Sequence, residues 1–373
     1  MKKILVFCAY FYPHEGGVET YVRELFGHEK ELDVTIVTCN TEDARFFEEK
    51  DGFHIYRLDS WHMLGAAYPV VKLGGWKQLK RLDSVRFDYV FSNTRFFNIS
   101  YVAYRFAKRN NILFIHIEHG TNHSKLTNVF SRFVNIVYDH TIGRQIIKNC
   151  FKLVTISDAA KRFCDHIYKR DSIQIRNSID TKNFIRRPLK KIIALKKKLS
   201  IKDEKVIIYV GRLIYAKGVQ DLLEAVTDIP NIRVLIIGDG NYSDVLKKRF
   251  LPDPRLLFFG KRNSSEIMDY LSISDLFVNP SYAEGLPTSV LEAGAIGLPI
   301  IATDVGGTRE IIDDAKNGYL IKPKDIAALT DRITILLKDN KKSAKFSSEI
   351  RKKIVKEFDW KIAKKVLIGL VKK

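Results

Sequence analysis

Two cations bracket one short loop. Gly211-Arg212-Leu213 follows the apolar run Val206–Val210, and Lys217-Gly218 lies close behind it. Arginine forks onto phosphate oxygens and lysine adds a point charge, so the pair suits an anion held at a strand end. Two solvated surface cations fit the same letters. Further on, Glu284-Gly285-Leu286-Pro287-Thr288 leads into a helical pattern that carries Glu292. Carboxylates accept hydrogen bonds from sugar hydroxyls, and an acid at such a place can hold a ribose diol. A salt bridge or a helix cap is the plain alternative. Gly16-Gly17, Gly238-Asp239-Gly240 and Gly306-Gly307 each follow an apolar run, where exposed amides and a helix start can hold phosphate or sugar oxygens. None has Walker or dinucleotide spacing. Their shared placement says more than any one of them.

His116, Glu118 and His119 close another apolar run just before Gly120. In an extended chain His116 and Glu118 share one face, and His119 lies at the end, better placed to reach a ligand; His123 is a rival. The spacing is not that of a helical zinc motif, so no metal is expected. Ser157 also follows a strand-like run, but without a nucleophile elbow it does not suggest a serine hydrolase.

The elements that must position these groups are short apolar runs separated by helical patterns. In the first half the runs are Ile4–Ala9, Val34–Thr38, His54–Leu58, Tyr89–Ser92, Leu113–Ile117 and Leu153–Ile156. Val18, Tyr21, Val22, Leu25 and Phe26 fall at helical spacing, and the aromatic stretch Ile99–Lys108 predicts another helix. Near Asn177 the pattern breaks into a lysine-rich junction. A second series begins at Val206–Val210 and continues through 234–237, 256–259, 276–278 and 299–302. Strands that are almost wholly apolar, alternating with helices, predict α/β domains whose parallel sheets are covered on both faces. The tail, residues 341–373, is basic but carries enough apolar residues, Ile354, Val355, Phe358, Trp360, Ile362, Val366, Leu367 and Leu370, to dock as a helix.

At 373 residues, 46% hydrophobic and 28% charged, the chain is a folded protein of two domains. Four cysteines without a CxxC pair exclude a disulfide scaffold and a four-cysteine zinc site, and fit a reducing compartment. No apolar stretch is long enough to span a membrane, and the apolar start reads as a first strand rather than a signal peptide. The formal charge of +20 admits nucleic acid, anionic lipid or an anionic small substrate.

Taken in order, Gly16-Gly17-Val18-Glu19, His119-Gly120, Asn177-Ser178-Ile179-Asp180, Gly211-Arg212-Leu213, Lys217-Gly218, Gly238-Asp239-Gly240, Glu284-Gly285-Leu286-Pro287, Leu291-Glu292-Ala293 and Gly306-Gly307 resemble the retaining, nucleotide-sugar-dependent glycosyltransferases of family 4. The resemblance covers nearly the whole chain. It implies an α/β architecture of two Rossmann-like domains facing across a cleft, the GT-B fold. The acceptor domain would span residues 1–178 with 357–373 packing back, and the nucleotide-sugar donor domain 179–356.

By the same resemblance Arg212 and Lys217 hold the donor diphosphate, Glu292 the ribose, Glu284 the region of the donor sugar, and His119 the sugar through O6. Gly16 and Gly17 lie beneath the diphosphate, and the turn with Arg262 and Asn263 receives the base. Gly238 belongs to the donor loops, while Gly285, Leu286, Pro287, Thr288, Gly306 and Gly307 add backbone contacts. The implied reaction is metal-independent transfer of a hexose or N-acetylhexosamine, with UDP as the carrier and no cofactor. The acceptor is a glycan or lipid-linked glycan of surface polysaccharide or glycolipid synthesis. The implied location is cytoplasmic, at the inner membrane face. A net charge of +11 over residues 71–180, with Trp61, Tyr68, Trp76, Phe91, Phe96, Phe97 and Tyr101, admits an anionic membrane surface. A UDP-sugar epimerase of the same architecture is the alternative. No nucleic-acid motif accompanies the charge. Serine replaces the family's glycine at Ser178, which would strain the junction if a positive φ were needed there.

Overall fold

The computed structural model describes residues 1–14, 16–63, 68–122 and 135–372. Two compact units are present, Met1–Asn177 with Lys361–Lys373, and Ser178–Trp360.

The first unit is built on an eight-stranded sheet. From Lys2–Cys8 the chain steps outward through Leu32–Cys39 to Phe53–Leu58. It then restarts on the other side with Tyr89–Asn93, Leu113–Glu118, Lys152–Thr155 and Ile173–Gln174. All six predicted runs are strands, with ends shifted by a residue or two. Ile4–Cys8 is fully buried, as a central strand covered on both faces must be. Helix Asn98–Arg109 forms where the aromatic stretch predicted one, burying Ile99, Val102, Ala103 and Phe106.

The sheet is not wholly parallel. Phe47–Lys50 pairs antiparallel at its edge, and Ser60–Met63 with Tyr68–Val71 makes a separate hairpin. The sequence of the edge strand, Phe-Glu-Glu-Lys, is too polar to stand out as an apolar run. Among the aromatic residues offered for a membrane face, Phe91 is instead a core residue, fully buried and edge-on to Phe26. Trp76, Phe97 and Tyr101 also pack against that core, whereas Trp61 is 54% exposed.

The second unit is a six-stranded parallel sheet, in the order Leu256–Gly260, Ile232–Ile237, Lys205–Val210, Leu276–Asn279, Ile300–Thr303 and Tyr319–Ile321. Helices Val219–Ala225, Ile326–Lys338 and Thr288–Ile296 are among those that cover it. In both sheets the chain reverses direction beside the first strand. In the first unit this happens between Lys2–Cys8 and Tyr89–Asn93, and in the second between Lys205–Val210 and Leu276–Asn279. The carboxyl ends of such a strand pair are where doubly wound sheets receive ligands.

Ser178 does not have a positive φ, so serine is accommodated there without strain. Ile179 pairs with Asp359 through Ile179 N to Phe358 O at 2.8 Å and Trp360 N to Ile179 O at 3.2 Å. The final helix, Trp360–Val371, buries Ala363, Leu367 and Val371, and its Lys364 donates to the Gly27 carbonyl at 2.8 Å. Among the described residues no helix is long and apolar enough to cross a membrane.

Candidate active site

In the second unit, the sequence-predicted groups converge on the strand-reversal point. Lys217, in a single turn after Lys205–Val210, donates from Nζ to Glu284 Oε1 at 2.7 Å. The two come from the opposite flanks of the reversal, and their side chains are 19% and 10% exposed. Asn279, the last residue of its strand, donates from Nδ2 to the same oxygen at 3.4 Å, and Ser281 Oγ donates to Asn279 Oδ1 at 2.9 Å. Tyr282 locks the two loops together, accepting from Gln220 Nε2 at 2.7 Å and donating to Asp221 at 2.8 Å. Arg212 is exposed, and its guanidinium has no hydrogen bond or ion pair among the described residues. Its carbonyl accepts from the buried Tyr209 hydroxyl at 3.0 Å. Burial pushes that phenol up, Glu284 pushes it further, and Arg212 opposes them, so the cation and the carboxylate act on one phenol.

The glycines position these loops against one another. Gly306 has φ +55°, and a Cβ there would sit 1.8 Å from the Glu284 carbonyl oxygen. Gly238 has φ +137°, and a Cβ would meet the Gly211 carbonyl at 1.8 Å. No other residue type fits such contacts. The amides read in the sequence as ligand donors are partly engaged already. Gly307 N donates to Gly285 O at 2.8 Å, and Gly238 N to Gly260 O at 2.9 Å. Leu286 is buried, and Pro287 precedes helix Thr288–Ile296, whose first amides lack intrahelical partners.

Glu292 lies on the second turn of that helix. No described residue hydrogen-bonds its carboxyl, and burial pushes it up to about 7. Such a group gains from two hydroxyl donors presented together. Asn263, expected at the base, caps helix Ser264–Ile273, accepting from Glu266 N at 3.0 Å. Arg262 lies 3.7 Å from Glu266.

In the first unit, His119 follows Leu113–Glu118 and is partly exposed. Its Nε2 is 3.2 Å from Asn93 Oδ1, and its ring stands edge-on to Tyr21 at 5.0 Å. Tyr21 belongs to helix Gly17–Phe26, so the Gly16-Gly17 loop and His119 share one end of the sheet. Gly16 is extended, and Gly17 is exposed with no atom near the place of its missing Cβ. Behind His119 lies a buried ionic network. Arg95 bridges Glu118 at 2.9 Å and Asp139 at 2.9 Å, and Glu118 accepts from the Gly120 amide at 2.6 Å. Although burial opposes ionisation, Arg95 and its neighbours hold the Glu118 carboxyl well below the usual range. His116 belongs to this network, 3.3 Å from Glu118 and 2.7 Å from Ser92 Oγ. Desolvation lowers His119 to about 4, so its imidazole is neutral at physiological pH. His123 lies outside the described residues.

The profile described as "Glycosyl transferases group 1" matches residues 191–353, and that of "Glycosyltransferase Family 4" matches residues 15–183. An uncharacterized glycosyltransferase of Methanocaldococcus jannaschii is 30% identical over 383 residues, covering 96% of this chain and 95% of that one. The chain belongs to the family 4 glycosyltransferases. Its fold is GT-B. Sucrose-phosphate synthase of Thermosynechococcus elongatus superposes with a TM-score of 0.84 at 20% identity, covering 100% of this chain and 98% of the other. Anabaena HepE in complex with UDP-glucose gives 0.81 at 18% identity over the full length of both. The protein is therefore a transferase, and the epimerase alternative finds no support among these relatives.

Two residues of this glycosyltransferase escaped the sequence reading. Asn93 and Asn279 each end the strand that restarts its sheet, and each bonds a candidate side chain, His119 or Glu284. The available signal was an asparagine closing a run otherwise fit for a buried strand, a place where that residue is disfavoured.

Proposed function

We propose that this family 4 enzyme is a retaining hexosyl- or N-acetylhexosaminyltransferase that uses a UDP-linked sugar. The acceptor is a glycan or lipid-linked glycan of surface polysaccharide or glycolipid synthesis. The observation that carries the proposal is the Lys217–Glu284 contact across the strand reversal, with the unengaged Arg212 guanidinium acting on the same Tyr209 phenol as Glu284. UDP as carrier is supported by likeness to HepE. The second unit takes the donor and the first takes the acceptor, and the family resemblance assigns His119 to the donor sugar O6.

In the reaction, an acceptor hydroxyl forms a bond to the anomeric carbon on the face from which the diphosphate departs. The bond from that carbon to the phosphate oxygen breaks, and the hydroxyl proton passes to the departing phosphate. Negative charge grows on the leaving oxygen, where Arg212 and Lys217 stabilise it without a metal ion. Glu284 positions sugar hydroxyls and favours positive charge on the ring; it is not assigned as a nucleophile. Glu292 accepts the ribose diol, and the loop backbones from Gly285 to Thr288 and at Gly306 border the diphosphate. The lone carboxyl of Glu292 and the cationic loop both fit a nucleoside diphosphate.

Attachment to the inner membrane face is part of the proposal. It is supported by Trp61 and by Leu73, which is 79% exposed beside the exposed Lys77 and Lys80. Pelleting with anionic vesicles at low salt is expected, and its absence would remove this part.

A panel of UDP- and GDP-linked sugars, read by protection against thermal unfolding, tests the donor. Arg212→Ala then tests the chemistry: losing about 3 kcal/mol at the transition state slows transfer roughly a hundredfold. A folded R212A protein with unchanged turnover would overturn the assignment.

A further inference from the structure

The hydrogen-bonding role of His119 is fixed by the strand beside it. Asn93 closes Tyr89–Asn93 and pairs in register with Ile117, two residues before His119, while Thr94 N donates to Ile117 O at 2.9 Å. The Asn93 side chain is buried, and its Nδ2 donates to the Phe7 carbonyl oxygen at 3.2 Å. A carbonyl oxygen only accepts, so the amide nitrogen must face Phe7 and the amide oxygen must face His119. That oxygen is 3.2 Å from His119 Nε2. Two acceptors cannot bond one another, so in the neutral ring the proton sits on Nε2 and Nδ1 keeps its lone pair. The Tyr21 ring, edge-on to His119 and anchored by Tyr21 Oη donating to Ile175 O at 2.9 Å, holds the imidazole in this orientation. Among the described residues no group bonds Nδ1.

We infer that Asn93 is a positioning residue that fixes the Nε2–H tautomer of His119 and so makes Nδ1 an acceptor for a hydroxyl of the donor sugar. The inference rests on the reading that His119 meets that sugar. Its chemical consequence is a specificity. A hydroxyl facing Nδ1 donates a hydrogen bond. A fluorine or a carboxylate at the same carbon cannot donate, and the carboxylate would in addition face the ionised Glu118 behind the ring. The donor class is a sugar with a free hydroxyl there, not a uronic acid or a deoxyfluoro analogue.

Nitrogen NMR of the full chain labelled at histidine reads the tautomer directly, with H119Q assigning the signal among nine histidines. In the ligand-free wild type, one neutral species protonated at Nε2 is expected, its ring proton slow to exchange with water. An Nδ1–H ring, or rapid exchange of the Nε2 proton, would overturn the inference. Nε2–H is also the form an unrestrained neutral imidazole prefers, so a second variant separates fixing from preference. Asn93→Leu is expected to give a mixture of tautomers, and a single unchanged Nε2–H species in folded N93L would refute the role of Asn93. If N93L does not fold, the wild-type exchange measurement decides. UDP-glucose, or GDP-mannose where UDP-glucose does not bind, is then added. The Nδ1 resonance should move as it accepts a hydrogen bond, and replacing the 6-hydroxyl of the same donor by fluorine should lower kcat/KM about tenfold or more. Donor binding without any change at His119 would overturn the reading that His119 meets the sugar, while the tautomer assignment would stand.

Discussion

Replacing Glu292 by glutamine should make the protein more stable and a worse enzyme, and pH should reveal why. Burial raises the Glu292 carboxyl from 4.5 to about 7. The folded chain therefore keeps a proton that the unfolded chain has already released. A group raised in this direction contributes stability that is fully present below 4.5 and is lost as pH climbs through about 7. At roughly 1.4 kcal/mol per pH unit, the full loss by pH 8.5 is about 3 kcal/mol, and the partial exposure of the residue trims it to about 2–3. E292Q removes the titration. Its melting temperature should match wild type near pH 4 and exceed it by about 5–10 °C at pH 8.5, since about 2–4 °C accompanies each kcal/mol in a unit of this size. Donor affinity should show the reverse. A ribose diol needs the ionised carboxylate, so UDP binding to wild type should weaken tens of fold from pH 8 to pH 5, with its bend near 7. E292Q should bind weakly and without that bend. Differential scanning fluorimetry across pH, with and without UDP, measures both. Parallel melting profiles for wild type and E292Q between pH 5 and 8.5 would refute the reasoning, because the carboxyl would then not be desolvated in the folded chain.

Four further outcomes follow from the same geometry. Glu284→Gln releases Lys217 from its ion pair, so UDP should bind about two- to fivefold more tightly while sugar transfer falls; calorimetry and turnover together check the split. Arg95→Met leaves Glu118 and Asp139 buried without their cation and should cost about 3–5 kcal/mol in urea unfolding, whereas a change at the exposed Lys77 should cost nearly nothing. Gly306→Ala drives a methyl into the Glu284 carbonyl and should lose more than about 2 kcal/mol together with UDP binding, as read by thermal shift. Removing residues 361–373 uncovers the apolar surface that Ala363, Leu367 and Val371 bury, and binding of a hydrophobic dye should rise in the truncated protein.

The sheets were legible because strands buried on both faces must be apolar throughout, and runs such as Ile4–Cys8 and Val206–Val210 admit little else. Glycine and charge placement at their ends located the candidate loops for the same reason, since ligands gather where strands stop. What the letters could not carry was pairing across distance. Lys217 and Glu284 are 67 residues apart, and only the strand order brings them to 2.7 Å. The glycines carry a second demand that the letters did not show: at Gly238 and Gly306 a Cβ would collide with a carbonyl of a neighbouring loop, so loop packing alone already requires glycine there. Edge strand Phe47–Lys50 escaped because an exposed edge asks for no apolar pattern. The tautomer of His119 depends on an amide whose orientation is set by a third strand, through Phe7.

The chain leaves the first unit after Asn177 and re-enters it at Lys361, so one unit is threaded as an insert within the other. On the ribosome, the amino-terminal sheet emerges long before the helix that seals one of its sides. Between those moments the apolar surface that Leu367 and Val371 later cover stays open to solvent and to other nascent chains. The rate at which the inserted unit is synthesised and folds therefore sets how long that surface is vulnerable to aggregation. Slow codons placed within it would lengthen the exposure, and a circular permutant that begins at Lys361 would abolish it.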